Sequence, residues 1–138
     1  MEYERHFTID EANRMIPWLE KQLLELVSVM EKLEDLDRNR DDILQKVRSN
    51  GHSNSYSKTK KDMSENRKQT DSLAERLKFL IEETEDLGII LRDPTQGLVD
   101  FPSLSDSREI YLCWISGEDR IKFWHEITVG FSGRQPLL

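Results

Sequence analysis

Apolar positions in the first half of the chain fall at helical spacing. Leu19, Leu23, Leu26, Met30 and Leu33 recur at intervals of four, three, four and three, a heptad seam suited to packing against another helix. Just upstream, Thr8-Ile9-Asp10-Glu11 has capping-box spacing: the Thr8 hydroxyl can accept from the amide three residues on, and Glu11 can reach back. Phe7 and Ala12 flank the box at hydrophobic-staple positions. Pro17 has no amide hydrogen and its ring crowds the preceding turn, so the pattern predicts a short first helix that kinks or stops there and a long one after it. Beyond Leu33 the seam meets Asp37 and Arg40, and a shifted stripe of Leu36, Ile43 and Val47 takes over.

Turn formers without any apolar residue, Ser49-Asn50-Gly51-His52-Ser53-Asn54-Ser55, predict a loop near 49–58. A further helix follows, striped by Met63, Thr70, Leu73, Leu77, Leu80, Thr84 and Leu87. It closes at Gly88, a natural left-handed C′ residue with apolar Ile89 behind it. Similar lengths and a short polar connection predict an antiparallel, coiled-coil-like helical hairpin, an arm roughly 40 Å long at 1.5 Å per residue. Arg40, Asn66 and Thr70 stand where leucine would pack best, which makes the loop end the less stable half.

After Gly88 the helical period gives way to β-branched and aromatic residues with turns. Ile89-Ile90-Leu91 reads as a strand, Asp93-Pro94-Thr95-Gln96-Gly97 as a turn, and Leu98-Val99-Asp100-Phe101 as a strand ended by Pro102. Glu109 to Ile115 is the best strand, and Ser116-Gly117-Glu118-Asp119 makes a hairpin loop into Arg120 to Glu126. Both alternating sets of the Glu109 to Ile115 strand are apolar, so both faces are expected to be covered, one of them by helix with Trp18. The predicted class is α+β: a short first helix, a long antiparallel helical hairpin within 8–88, and a small, mostly antiparallel β-sheet in 89–138, all in a single domain of 138 residues.

Composition agrees with an extended helical element. The chain is 36% hydrophobic and 34% charged, with a mean hydropathy of −0.69, which fits a shape with much surface per residue. No apolar run approaches the length of a membrane-spanning helix, and Met1-Glu2-Tyr3-Glu4-Arg5 has neither the basic region nor the apolar stretch of a signal peptide, so a cytoplasmic location and no membrane partner are expected. The single Cys113 cannot form an internal disulfide and no cysteine cluster suggests a zinc ribbon or iron–sulfur site.

Charge sharpens the picture at one end of the hairpin. The net charge of −7 disfavours bulk attraction to nucleic acid or anionic membrane. Yet Lys46 to Lys68 holds seven cations against two anions, a net of +5, just after an acidic belt of Glu31, Glu34, Asp35, Asp37, Asp41 and Asp42. Such a reversal can orient a partner, although solvated helix faces also carry charge clusters. Lys58, Lys60, Lys61, Arg67 and Lys68 are the candidate contact residues, for a protein or an RNA. Tyr56 alone could stack on a base there, short of a single-strand-binding platform.

In Phe7-Thr8-Ile9-Asp10-Glu11-Ala12-Asn13, Gly97-Leu98-Val99-Asp100-Phe101-Pro102, Leu112-Cys113-Trp114, Phe123-Trp124-His125-Glu126 and Gly130-Phe131-Ser132-Gly133-Arg134-Gln135-Pro136-Leu137, the sequence resembles a prokaryotic family of hypothetical proteins, domain-of-unknown-function family 2203. The resemblance spans nearly the whole chain, specific in the last third and loose across the helices. It implies a prokaryotic origin and a shared architecture, and it carries over no catalytic residue.

Chemistry must then come from the residues themselves. Trp124-His125-Glu126 is the most suggestive cluster, because histidine and glutamate serve both as metal ligands and as acid–base groups. Strand alternation puts His125 with Phe123 and Ile121, the side of a core histidine satisfied by a carboxylate or carbonyl. Asp100 and Glu109 are the carboxylates that could join it. Their convergence would make an oxygen-rich site with one imidazole, suited to several divalent metal ions. Arg134, between glycines and Pro136, can grip a carboxylate or phosphate; the plainer expectation pairs it with an internal acid such as Asp100 or Asp93 while Phe131 packs on the sheet. Neither a Walker nor a dinucleotide glycine pattern occurs, and Cys113 reads as a small buried hydrophobe.

Two readings of different kinds follow. The leading one is a non-enzymatic interaction or adaptor protein that uses the basic end of its hairpin. The alternative is a small metal- or ligand-binding protein, conceivably an enzyme, with a site around His125, Glu126, Asp100, Glu109 and Arg134. Under either, the flank of Val29, Leu36 and Ile43 offers a homodimer a four-helix arrangement, unless the sheet covers it.

Overall fold

The structure is a computed structural model that describes residues 1–50 and 56–137. Two helices, α1 (Ile9–Asn50) and α2 (Tyr56–Asp86), precede five strands: β1 (Ile90–Asp93), β2 (Leu98–Ser105), β3 (Arg108–Ile115), β4 (Phe123–Glu126) and β5 (Gln135–Pro136). The strands form one antiparallel sheet in the order β1-β2-β3-β4-β5. The fold is α+β, a helical hairpin followed by an antiparallel sheet. Of the predicted loop near 49–58, residues 51–55 lie outside the described residues, while 49–50 and 56–58 belong to the helices.

The capping box forms as read: the Glu11 amide donates to Thr8 Oγ1 at 3.1 Å, and the Thr8 amide donates to Glu11 Oε1 at 3.0 Å. The break expected at Pro17 does not occur. Helix α1 runs through it for 42 residues, although an interior proline costs about 3 kcal/mol. Flanking burial explains the tolerance, because Ala12, Ile16, Leu19 and Leu23 fix the turns on both sides. At the other end of the pair, Gly88 has φ +90° and closes α2 with its amide on the Glu85 carbonyl, while Ile89 is buried behind it.

Tertiary contacts gather into two compact units, one of residues 1–27 and 80–138, the other of residues 28–79. In the first, the apolar core combines Ala12, Ile16, Leu19, Leu23 and Leu26 of α1 with Leu80 of α2 and with Val99, Phe101, Leu112 and Trp114 from the sheet. Gln22 ties the two helices there, donating to the Leu80 carbonyl at 3.1 Å and to Glu83 Oε1 at 3.0 Å. In the second unit, buried Asn66 of α2 donates to the Leu36 carbonyl at 2.8 Å and to Asn39 Oδ1 at 3.1 Å. Val29, expected on an open flank, is buried, while Leu36 and Ile43 are half-buried.

Strand limits differ from the sequence pattern at two places. Strand β2 continues through Pro102 to Ser105. Pro102 faces Tyr111 of β3, but β1 pairs no further along β2 than Asp100, so no ladder needs the missing amide. The segment before α1 occupies that edge: the Phe7 amide donates to the Pro102 carbonyl at 2.7 Å and Ser103 Oγ donates to the Phe7 carbonyl at 2.6 Å. Strand β4 begins at Phe123 rather than Arg120, because the Ile121 amide goes to Asn13 Oδ1 at 2.7 Å instead of into the ladder. The turn joining β2 to β3 holds Asp106 and Ser107 at φ 50° and 64°, the left-handed pair a two-residue hairpin demands.

Candidate functional site

Alternation along β2, β3 and β4 sends one set of side chains toward Val99, Phe101, Leu112 and Trp114, and the other into a polar cluster. The second set contains Asp100, Tyr111, Cys113 and His125, all buried. Register creates the cluster: Asp100 lies opposite Cys113, and Tyr111 opposite His125. His125 is 1% exposed, as the alternation predicted. Its Nε2 lies 2.9 Å from Asp100 Oδ1 and its Nδ1 lies 2.9 Å from the Glu126 carbonyl oxygen.

Arg92 completes the carboxylate, donating from Nε to Asp100 Oδ2 at 2.9 Å. Burial pulls this guanidinium down, yet the hydrogen bond and charge of Asp100 leave it above its ordinary value. Arg92 also stacks 5.0 Å from the centre of the Tyr111 ring, whose hydroxyl hydrogen-bonds that of Tyr3. Burial foremost, then that bond, raises the Tyr3 phenol. The Cys113 thiol is pushed up to about 12 by burial and next by the Asp100 carboxylate, against the pull of neighbouring Arg134. The ligand atoms of Asp100, Cys113 and His125 all lie within 4.8 Å of one another. A cavity of about 290 Å³ opens on Asp100 and His125 between Arg92, Leu98 and the segment Ile127–Phe131.

The other residues expected in this group stand elsewhere. Glu109 accepts from the Glu2 and Tyr3 amides and bonds His6 Nε2 at 2.8 Å. The His6 hydrogen bond, helped by those amides and opposed by burial, holds its carboxyl down at about 2. The Glu126 side chain pairs with Arg108, and only its carbonyl reaches His125. Arg134 grips Glu118 with two bonds of 3.1 Å, not Asp100 or Asp93, and stacks over Phe123 and Phe131. Phe131 itself is exposed rather than packed on the sheet.

Arg92, Tyr111 and Tyr3 were missed from the sequence, and Cys113 was read as inert. Arg92 is the extra residue of an irregularity between Leu91, opposite Val99, and Asp93, opposite Leu98, so alternation counted from the Asp93–Gly97 turn does not place it with Asp100. The Tyr3 contact joins residues 108 apart in sequence, beyond any local pattern.

A second candidate region lies in the unit of residues 28–79. Lys58, Lys60, Lys61, Arg67 and Lys68 are all exposed on α2. From Ile43 to Lys61 the chain has five cations and no acid. Beside them, Arg40, Lys60, Arg67, Ser64, Thr70, Met63, Asn66 and Asp71 line an open groove of about 520 Å³. The acidic belt is partly engaged on its own helix, Asp35 with Arg38 and Asp37 with Arg40. Among the described residues, no helix is long and apolar enough to cross a membrane.

The chain belongs to a family described as uncharacterized conserved protein (DUF2203), whose model matches residues 5–137. No curated protein and no solved structure matches it.

Proposed function

We propose that this DUF2203 chain is a non-enzymatic interaction protein that docks an acidic segment of a partner protein on the basic end of its helical hairpin. The observation that carries the reading is the segregation of charge: five cations without an acid between Ile43 and Lys61, on a chain whose net charge is −7. A lysine- and arginine-lined groove with the hydroxyls of Ser64 and Thr70 at hand suits carboxylates, each a charge-assisted acceptor. Association steered by such a patch is fast and sensitive to salt. Protein is favoured over RNA because the overall negative charge opposes a polyphosphate and, among the described residues, the groove has no aromatic wall on which bases could stack.

The test compares wild type with the Lys58→Glu/Lys60→Glu/Lys61→Glu variant. Each is used to capture partners from nuclease-treated extract, and any captured protein is then purified and its affinity measured directly. Circular dichroism should be the same for both chains, because the three lysines are exposed. The expected result is a protein whose dissociation constant rises about 100-fold or more with the variant, from several lost charge pairs. Binding indifferent to the reversal, or abolished by nuclease, overturns the reading, and the second outcome points to RNA.

A further inference from the structure

We infer that Asp100, Cys113 and His125 form the binding site for one divalent transition-metal ion, with zinc the ion their thiolate, imidazole and carboxylate suit best. The three donors come from three adjacent strands, are buried, and gather their ligand atoms within 4.8 Å. A thiolate–imidazole–carboxylate triad leaves one position of a tetrahedral ion open.

Hydrogen bonding at His125 argues for a cation independently of that clustering. A neutral imidazole has one N–H. The Glu126 carbonyl, 2.9 Å from Nδ1, is an acceptor and claims that hydrogen. Nε2 then points its lone pair at Asp100 Oδ1, a second acceptor 2.9 Å away. Something positive must stand between or beside them, either a proton shared between Nε2 and the carboxylate or a metal ion. Cys113 favours the metal: its sulfur, in hydrogen-bond reach of Asp100, adds a soft donor to the imidazole and carboxylate, the mixed set that transition metals take.

The surroundings resemble a coordination shell's outer layer. The Nδ1–H to carbonyl bond fixes the tautomer that leaves Nε2 as ligand, the usual device in histidine metal sites. Arg92 holds Asp100 by Oδ2 and leaves Oδ1 turned toward the other donors. Burial and the Asp100 carboxylate keep the Cys113 thiol protonated, with neighbouring Arg134 offsetting them only in part; on binding, the ion must therefore displace the thiol proton to solvent. The cavity of about 290 Å³ that reaches Asp100 and His125 gives the ion a way in and gives the open position room for water.

The experiment titrates the chelator-treated full chain with zinc chloride and, separately, cobalt chloride. Calorimetry should give one ion per chain. Cobalt should produce a sulfur-to-metal charge-transfer band and the ligand-field bands of a four-coordinate ion. Cys113→Ser should lose the charge-transfer band and weaken binding about tenfold or more, while Glu126→Gln and Glu109→Gln, whose side chains point elsewhere, bind as wild type. Nitrogen-15 spectra of wild-type His125 provide a readout that requires no variant to fold. A shift confined to Nε2 on adding zinc supports the site. Two protonated ring nitrogens unmoved by zinc, or a cobalt spectrum without sulfur character, overturn it and leave an imidazolium–carboxylate pair.

Discussion

The two units of this chain are built on opposite economies of burial. Residues 1–27 and 80–138 bury aromatic and aliphatic side chains from the segment before α1, both helices, β2 and β3, among them Phe7, Leu19, Leu26, Leu80, Phe101, Leu112 and Trp114. Among the described residues of 28–79, Val29 and Asn66 are the buried ones, and leucines such as Leu33, Leu73 and Leu77 are only half-covered. Helix length alone therefore says little about cohesion. Where burial is sparse, a polar contact such as Asn66 to the Leu36 carbonyl selects one helix register more than it adds stability.

The sharpest way to break this comparison is to cut equally into both units. Phe101→Ala should cost about 3–5 kcal/mol in chemical denaturation, whereas Leu77→Ala, half-exposed, should cost less than about 1.5 kcal/mol. Equal losses would mean that 28–79 is packed as tightly as the rest. Next in size, Pro17→Ala should stabilise by about 1–3 kcal/mol, because a helix already continuous there regains an amide hydrogen bond. A lower denaturation midpoint would show instead that the proline ring is a packing element.

Smaller effects come from the sheet's periphery. Ser107 sits at φ 64°, where a side chain is unfavourable, so Ser107→Gly should raise stability by about 0.5–1 kcal/mol in thermal melts. The smallest concerns acid. The Glu109 carboxyl is held near 2 against an ordinary 4.5, so its contribution is complete above pH 4.5 and is lost as pH falls toward 2. Melts of Glu109→Gln should lack that part of the wild-type slope; parallel curves would mean that its ties to His6 and the amides of Glu2 and Tyr3 are inconsequential.

Local chemistry was legible and long-range pairing was not. The capping box at Thr8, the Gly88 ending, the Glu109 to Ile115 strand and the inward face of His125 all follow from neighbours within a few residues. The two prolines misled for different reasons: at Pro102 no ladder needs the missing amide, whereas at Pro17 a helix hydrogen bond is lost and the buried turns on either side bear the loss. The buried cluster was half legible: Asp100 and His125 were paired in expectation, while Cys113 reaches them through strand register and Arg92 through the irregularity that breaks it. Arg134 pairs with an internal acid as expected, but with Glu118 rather than Asp100 or Asp93, because Glu118, at the hairpin loop, already has one oxygen on the Ile115 amide and so stands ready for it.

The stitching of residues 2–7 onto β2 and β3 also sets a timetable. Glu2, Tyr3 and His6 bond Glu109, and Phe7 bonds Pro102 and Ser103, so residues made ahead of both helices find their places only after the strands that follow those helices. During synthesis the helices can form and associate through local contacts while that leading segment waits for the sheet to leave the ribosome. Closure of this long loop is thus deferred until β2 and β3 have emerged, and the residues ahead of α1 then return to strands made well after them.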